Sequence, residues 1–285
     1  MSDNYAVLMG TKGGPAIRPG SSMPTSHLLC LNGQRIVVDC GLGVTRGLVD
    51  QGMELKSLST IFITHLHSDH YLELGPLLHT AWTAGLKTPV NVWGPPGLER
   101  YWHGFLQSMK DDIDLRIADE GRPDLEHLVA VHAIETETSV EIDAIAVAAI
   151  KTRHPPLVDC YALSFKTKHR HVVFSGDTAP LPEMETFAAG ADLLVHEAML
   201  EEALPALVAR VGNGTEKLMQ HLKNSHTPAD QAAACAAAAG VKRLALVHLV
   251  PADDPQFTRA DWEAAVTPFW DGPLFIGVDG LRIDL

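Results

Sequence analysis

Two hydrophobic periods alternate along this chain. Short apolar runs of strand length, Ala6 to Met9, His27 to Leu31, Arg35 to Cys40, Ile61 to Thr64 and Val90 to Trp93, are separated by glycine, proline and Asn-Gly punctuation. Asn32-Gly33 between two of them predicts a hairpin. Helical spacing predicts helices over 71–85 and 98–109, the second beginning after Gly94-Pro95-Pro96-Gly97. Leu128 to Ile150 alternates in the manner of antiparallel strands, and Tyr161 to Lys166 with His171 to Ser175 predicts a second hairpin. Leu193 to His196 and Leu244 to Leu249 read as strands, Leu204 to Arg210 and the alanine-rich Ala229 to Ala239 as helices. Thr227-Pro228 fits the N-cap and first position of the latter. Phe275 to Val278 and Leu281 to Asp284 around Asp279-Gly280 predict a third hairpin. Strands and helices mixed in both halves imply an α/β fold of two sheets between helices. No linker-like or low-complexity segment interrupts the pattern, so a single domain over 1–285 is expected.

One strand is followed by unusual chemistry. Directly after Ile61-Phe62-Ile63-Thr64 the chain reads His65-Leu66-His67-Ser68-Asp69-His70, four metal-capable side chains within six residues. His65 and His67, two positions apart on an extended backbone, can face one ion, and Asp69 and His70 then reach a second close by. Imidazole with carboxylate suits zinc, with manganese, iron or cobalt as alternatives. One segment cannot complete two coordination spheres, so further ligands are sought where polar residues follow apolar runs. His154 precedes Pro155-Pro156, which holds its backbone extended. Asp177 follows Ser175-Gly176, where glycine permits a tight turn. His248 lies at the end of Leu244 to Val247.

Composition narrows the picture. The chain has 285 residues, 46% of them hydrophobic, enough for a sizeable core. Its 22 Lys and Arg stand against 35 Asp and Glu, a net charge of −13 that repels a phosphate backbone, and no basic cluster offsets it. Cys30, Cys40, Cys160 and Cys235 form no CxxC pair and read as small buried residues of a reducing compartment. Met1 to Tyr5 has no signal-peptide pattern, and no apolar run is long enough to span a membrane. The cytoplasm is the expected location.

HLHSDH, His154, Ser175-Gly176-Asp177-Thr178 and His248 together resemble the metallo-β-lactamase superfamily. Val38-Asp39-Cys40-Gly41, Gly94-Pro95-Pro96-Gly97, His196-Glu197-Ala198 and Ser225-His226-Thr227 resemble its branch of arylsulfatase-like hydrolases and ribonuclease Z. The resemblance implies a four-layer αββα sandwich with two zinc ions. His65, His67 and His154 would hold one, Asp69, His70 and His248 the other, and Asp177 would bridge them. A hydroxide shared by two dications about 4 Å apart would attack the substrate, with Asp69 orienting it or relaying its proton. His226 would stabilise charge or protonate the leaving group, and Glu197 would fix the tautomer of His226.

The short span between His154 and Asp177 leaves no room for the RNA-gripping arm of tRNA-processing relatives. With the net charge, this ranks small esters first: sulfate esters or phosphodiesters, then lactones, thioesters or cyclic amides, and tRNA 3′ processing last. The expected partners are a small-molecule substrate, no nucleic acid and no membrane, with a homodimer left open. Regions 94–124 and 200–224 are the expected pocket walls. Trp82, Trp93, Tyr101 and Trp102 read as core, with an apolar pocket wall as the alternative.

Overall fold

The computed structural model describes residues 3–136, 138–211 and 216–285. In chain order the strands are β1 (Tyr5–Gly10), β2 (Ser26–Leu31), β3 (Gln34–Cys40), β4 (Thr60–Phe62), β5 (Val90–Gly94), β6 (Val129–Ala133), β7 (Val140–Ile142), β8 (Ile145–Lys151), β9 (Tyr161–Lys166), β10 (His171–Phe174), β11 (Leu193–Met199), β12 (Leu244–Val250), β13 (Leu274–Ile276) and β14 (Leu281–Asp284). They form two seven-stranded sheets, β14-β1-β2-β3-β4-β5-β6 and β13-β12-β11-β10-β9-β8-β7. Both are mixed. β3 to β6 run parallel in the first and β10 to β13 in the second, and the remaining neighbours are antiparallel.

The central strands are covered on both faces, which is why every residue of β2, β11 and β12 is buried instead of every second one. Leu8, Leu29, Val38, Phe165, Val172 and Val195 fill the seam between the sheets. Helix Leu74–Thr83 seals the outer face of the first sheet through Leu74, Leu77, Leu78 and Trp82. Helix Ala229–Ala239 covers the second, its alanines allowing close approach to Leu194 and Leu246. Each fully buried Leu or Phe contributes about 1.5–3 kcal/mol relative to exposure. The result is the αββα order expected from the sequence.

Three local expectations are corrected. The stretch 128–150 is not one antiparallel unit: β6 joins the first sheet parallel to β5, while β7 and β8 form a hairpin in the second. Alternation reports one covered face and does not say which sheet covers it. The Asp279-Gly280 turn does not close a hairpin either, because β13 pairs with β12 and β14 with β1, so the turn crosses between sheets. Thr227 does not cap the alanine-rich helix; Pro228 occupies that position, and the Thr227 hydroxyl donates to Thr178 O at 2.6 Å. Among the described residues no helix is long and apolar enough to cross a membrane.

Candidate metal centre and its cavity

The donors lie where strand ends of the two sheets meet. Ile63 and Thr64 continue past β4, and the chain then turns through His67 into a short helix, Ser68–Tyr71, that carries Asp69 and His70. His154 follows β8, and Asp177 follows β10. Gly176 has a positive φ of 56°, and a Cβ there would meet Tyr161 O at 2.5 Å, so glycine is required for the turn that presents Asp177.

One donor, His248, and one carboxylate behind the donors, Asp39, are aimed by β-bulges. Across β11 and β12, Glu197 pairs with Val247 and Ala198 with Leu249, leaving His248 as the extra residue with φ 44°. Across β2 and β3, Ser26 pairs with Cys40 and His27 with Val38, leaving Asp39 extra with φ 63°. A bulge re-aims one side chain without breaking the sheet. A left-handed backbone at a non-glycine residue is strained, a feature concentrated at functional sites.

The seven metal candidates converge. His65, His67, His154 and Asp177 form one group whose ligand atoms all lie within 4.8 Å of one another, and Asp69, His70 and His248 form a second. In the first, His67 Nδ1 is 3.2 Å from His65 Nε2 and 2.9 Å from His154 Nε2. Asp177 is shared: Oδ2 lies 3.5 Å from His65 Nε2 and 3.2 Å from His248 Nε2, and Oδ1 lies 3.4 Å from His70 Nε2. Nitrogens held on zinc at 2.0–2.1 Å in a tetrahedron stand about 3.3 Å apart, a spacing these separations bracket.

The hydrogen bonds behind the rings show that this donor set fits a cation. His154 Nδ1 donates to Ser225 O at 2.8 Å, and His70 Nδ1 donates to Asp39 Oδ2 at 2.8 Å. Thr64 Oγ1 gives its proton to Asp39 at 2.9 Å and so accepts from His65 Nδ1 at 3.1 Å. In their neutral form all three rings spend their proton outward and turn Nε2 inward as a lone pair, toward carboxylates that also offer only lone pairs. His70 Nε2 is buried without a hydrogen-bond partner among the described residues. Burial opposes charge on Asp177, but His248, His70 and His65 outweigh it and hold the carboxyl well below its usual range. Burial likewise opposes charge on His70, yet Asp177, Asp39 and Asp69 push it well above its usual value. The cluster demands positive charge.

His226 and Glu197 join the same constellation. His226 Nδ1 lies 2.8 Å from Glu197 Oε2, and Thr178 N donates to Glu197 Oε1 at 2.5 Å. His226 also groups with Asp177 and His248. Burial and the charge of Asp177 push the Glu197 carboxyl well up, while burial pulls His226 down.

A cavity of about 360 Å³ opens over these groups. Leu207, Val211, Leu218 and Leu222 form its apolar wall, from the expected region 200–224, of which 212–215 lie outside the described residues. The other expected wall, 94–124, contributes no lining residue, because its helices pack on the outer face of the first sheet. Trp82 and Trp102 are core, Trp93 stacks on Phe62 at 4.9 Å, and Tyr101 donates to Leu72 O.

Sequence reasoning gave no role to Asp39, Lys12, Asp279 or His221. Lys12 belongs to the loop after β1, where Gly14 N donates to Asp69 Oδ2 at 2.8 Å. Asp279 holds that loop by accepting from Thr11 N, Thr11 Oγ1 and Met23 N at 3.1, 2.8 and 2.6 Å. His221 lines the cavity beside the donors.

Residues 8–225 match the family model described as Anti-Pycsar protein Apyc1. The chain belongs to that family. Ribonuclease Z of Mycobacterium marinum is 31% identical over 282 residues, 98% of each chain. Among solved structures, the metallo-β-lactamase fold protein YhfI of Bacillus subtilis superposes with a TM-score of 0.73 at 18% identity, over 99% of both chains. The short form of human tRNase Z gives 0.67 at 20% identity, over 98% of both. The chain is thus a hydrolase of the metallo-β-lactamase fold with ribonuclease Z relatives.

These findings overturn the ranking that put small esters first and RNA last. A full-length relative named ribonuclease Z outweighs the two arguments used against RNA. Net charge is summed over the whole surface and does not describe the potential in one cleft. The tight β9–β10 hairpin is present as expected, but it removes a gripping device and leaves the donor groups intact.

Proposed function

We propose that this protein hydrolyses phosphodiester bonds in RNA, using two zinc ions held by the two donor groups. The observation that carries the reading is Asp177, which lines the cavity between the two donor groups and faces His65 of one and His70 and His248 of the other, in a chain whose full-length relatives are named ribonuclease Z. Imidazole and carboxylate donors without thiolate support zinc. Two such dications would supply a nucleophilic water at neutral pH and polarise the phosphoryl oxygens.

The chain's own residues do the rest. Asp69, facing the cavity and pinned by Gly14 N, orients the attacking water and takes up its proton. Glu197 fixes the His226 ring through Nδ1, so Nε2 is the nitrogen offered to the substrate. Held in this way, His226 passes a proton to the departing ribose 3′ oxygen. Attack at phosphorus with that oxygen leaving produces a 3′-hydroxyl and a 5′-phosphate. The apolar wall limits water around the reacting group.

A precursor tRNA with a 3′ extension, labelled at its 5′ end, tests this. Cleavage to a 3′-hydroxyl product, abolished by chelation and restored by zinc, is expected, with elemental analysis giving two zinc ions per chain. RNA that stays intact with metal-replete protein would sink the reading.

A further inference from the structure

The cavity contains a buried cation without a counter-ion. Lys12 is 4% exposed and lines the cavity. Its Nζ donates to Gly13 O at 2.8 Å and Gly14 O at 3.3 Å. Among the described residues no carboxylate oxygen lies within 4.0 Å of it. Arg18, six residues on in the same loop, is different: Asp253 holds it at 3.1 Å. Arg210 is likewise held, by Asp253 and Asp254, each at 3.0 Å. Arg18, which lines the cavity with Lys12, is thus neutralised, and Lys12 is left with two neutral carbonyls.

Such an arrangement is expensive unless something compensates. A buried ammonium needs an opposite charge, and hydrogen bonds to carbonyls leave its charge standing. An ammonium also has three donors, of which these bonds use two. Burial is the main influence on the Lys12 pKa and lowers it, because Asp253 and Asp69, which raise it from beyond contact distance, do not outweigh burial.

Position supplies the rest. Lys12 Nζ reaches Gly14 O, and the amide of Gly14 reaches Asp69 Oδ2 at 2.8 Å. One residue therefore separates the ammonium from the second donor group. The leucines Leu207, Leu218 and Leu222 line the same cavity.

We propose that Lys12 is a substrate-binding residue. It holds the phosphate of a nucleotide adjoining the bond that is cut, and the leucine wall takes the attached base. This rests on the RNA reading above and names how the site grips its substrate.

Calorimetry on metal-replete protein with adenosine 5′-monophosphate, adenosine and inorganic phosphate tests it without any cleavage. Lys12→Met is expected to weaken adenosine monophosphate by about tenfold or more and to leave adenosine within about twofold, the charge-assisted bond being absent there. Leu218→Ser is expected to weaken both nucleosidic ligands by a similar factor. Unchanged melting and metal content in Lys12→Met show that the fold and the donor groups survive. Equal affinity of Lys12→Met and the parent for the monophosphate would overturn the proposal. A parent that binds the monophosphate no better than inorganic phosphate would overturn the assignment of a nucleotide. If RNA is not cut while Lys12-dependent binding persists, the cleavage reading falls and this one stands.

Discussion

The two sheets supply one site in opposite ways. The first delivers His65, His67, Asp69 and His70 on a single connection after β4. The second delivers His154, Asp177 and His248 from three separate strands, one of them through a bulge. A contiguous loop carries its chemistry in local sequence and places its donors relative to each other by backbone geometry alone. Donors on separate strands are placed by sheet register, and their mutual position is a property of the whole fold. The site needs both, because Asp177 from the second sheet faces His65 and His70 from the first.

The largest expected effect tests that dependence. If the hexapeptide held metal alone, Asp177→Ala would keep one ion. If Asp177 is shared by two ions, as proposed, both should be lost on gel filtration, with kcat/KM for RNA falling by about 10³-fold or more. Retention of one ion per chain would show that the first sheet's loop is self-sufficient.

Next is the second sheet's proton pair. His226→Ala should lower kcat by about 10²-fold or more and leave both ions in place, while Glu197→Gln gives a smaller loss, since it only loosens the ring's orientation. Loss of metal in His226→Ala would instead make His226 a ligand, as its grouping with Asp177 and His248 permits.

Asp39→Ala, in the first sheet, should act one step behind the metal. It removes the acceptor for His70 Nδ1 and for Thr64, and metal affinity by competition with a chelator should fall by about 10–100-fold. No change would mean that the hexapeptide holds its rings without the bulge.

The smallest effect probes the seam. His27, on β2, stacks on Phe174, on β10, at 5.4 Å, and burial above all holds its pKa down to about 3 from 6.5. The unfolded chain takes up this proton below pH 6.5 and the folded one does not, so stability is full above pH 6.5 and is lost progressively as pH falls toward about 3. Comparing pH 7.5 with pH 5, the parent should lose about 2 kcal/mol more than His27→Leu in urea titrations. Equal losses would put the acid sensitivity elsewhere.

What could be read from sequence follows the same division. The hexapeptide is legible because its donors are neighbours. His154 and Asp177 are legible because each follows an apolar run and is marked by proline or glycine. His248 is legible because it ends the apolar run Leu244 to Val247, but its bulge is not, since Leu244 to Leu249 reads as one uninterrupted strand. Asp39 is hidden for the same reason at the end of β3. Helix Lys110–Glu120 escapes periodicity because only Ile113 among its residues is buried. The third hairpin fails because Asp-Gly predicts a reversal of direction, and a reversal serves equally well to pass from one sheet to the other. The cationic loop of Lys12 carries no local signal, since its missing counter-ion is a fact about distant residues.

Asp279 gives this separation a consequence in time. It anchors Thr11 across 268 positions. At about 5–20 residues per second, a ribosome adds it roughly 15–50 s after Thr11. For most of that interval the nascent chain already carries the hexapeptide, while the loop that pins Asp69 has its local bond from Lys12 N to Met23 O and lacks the anchor of Asp279. The first sheet's donors are thus made early, and the distant anchor of the loop beside them comes last.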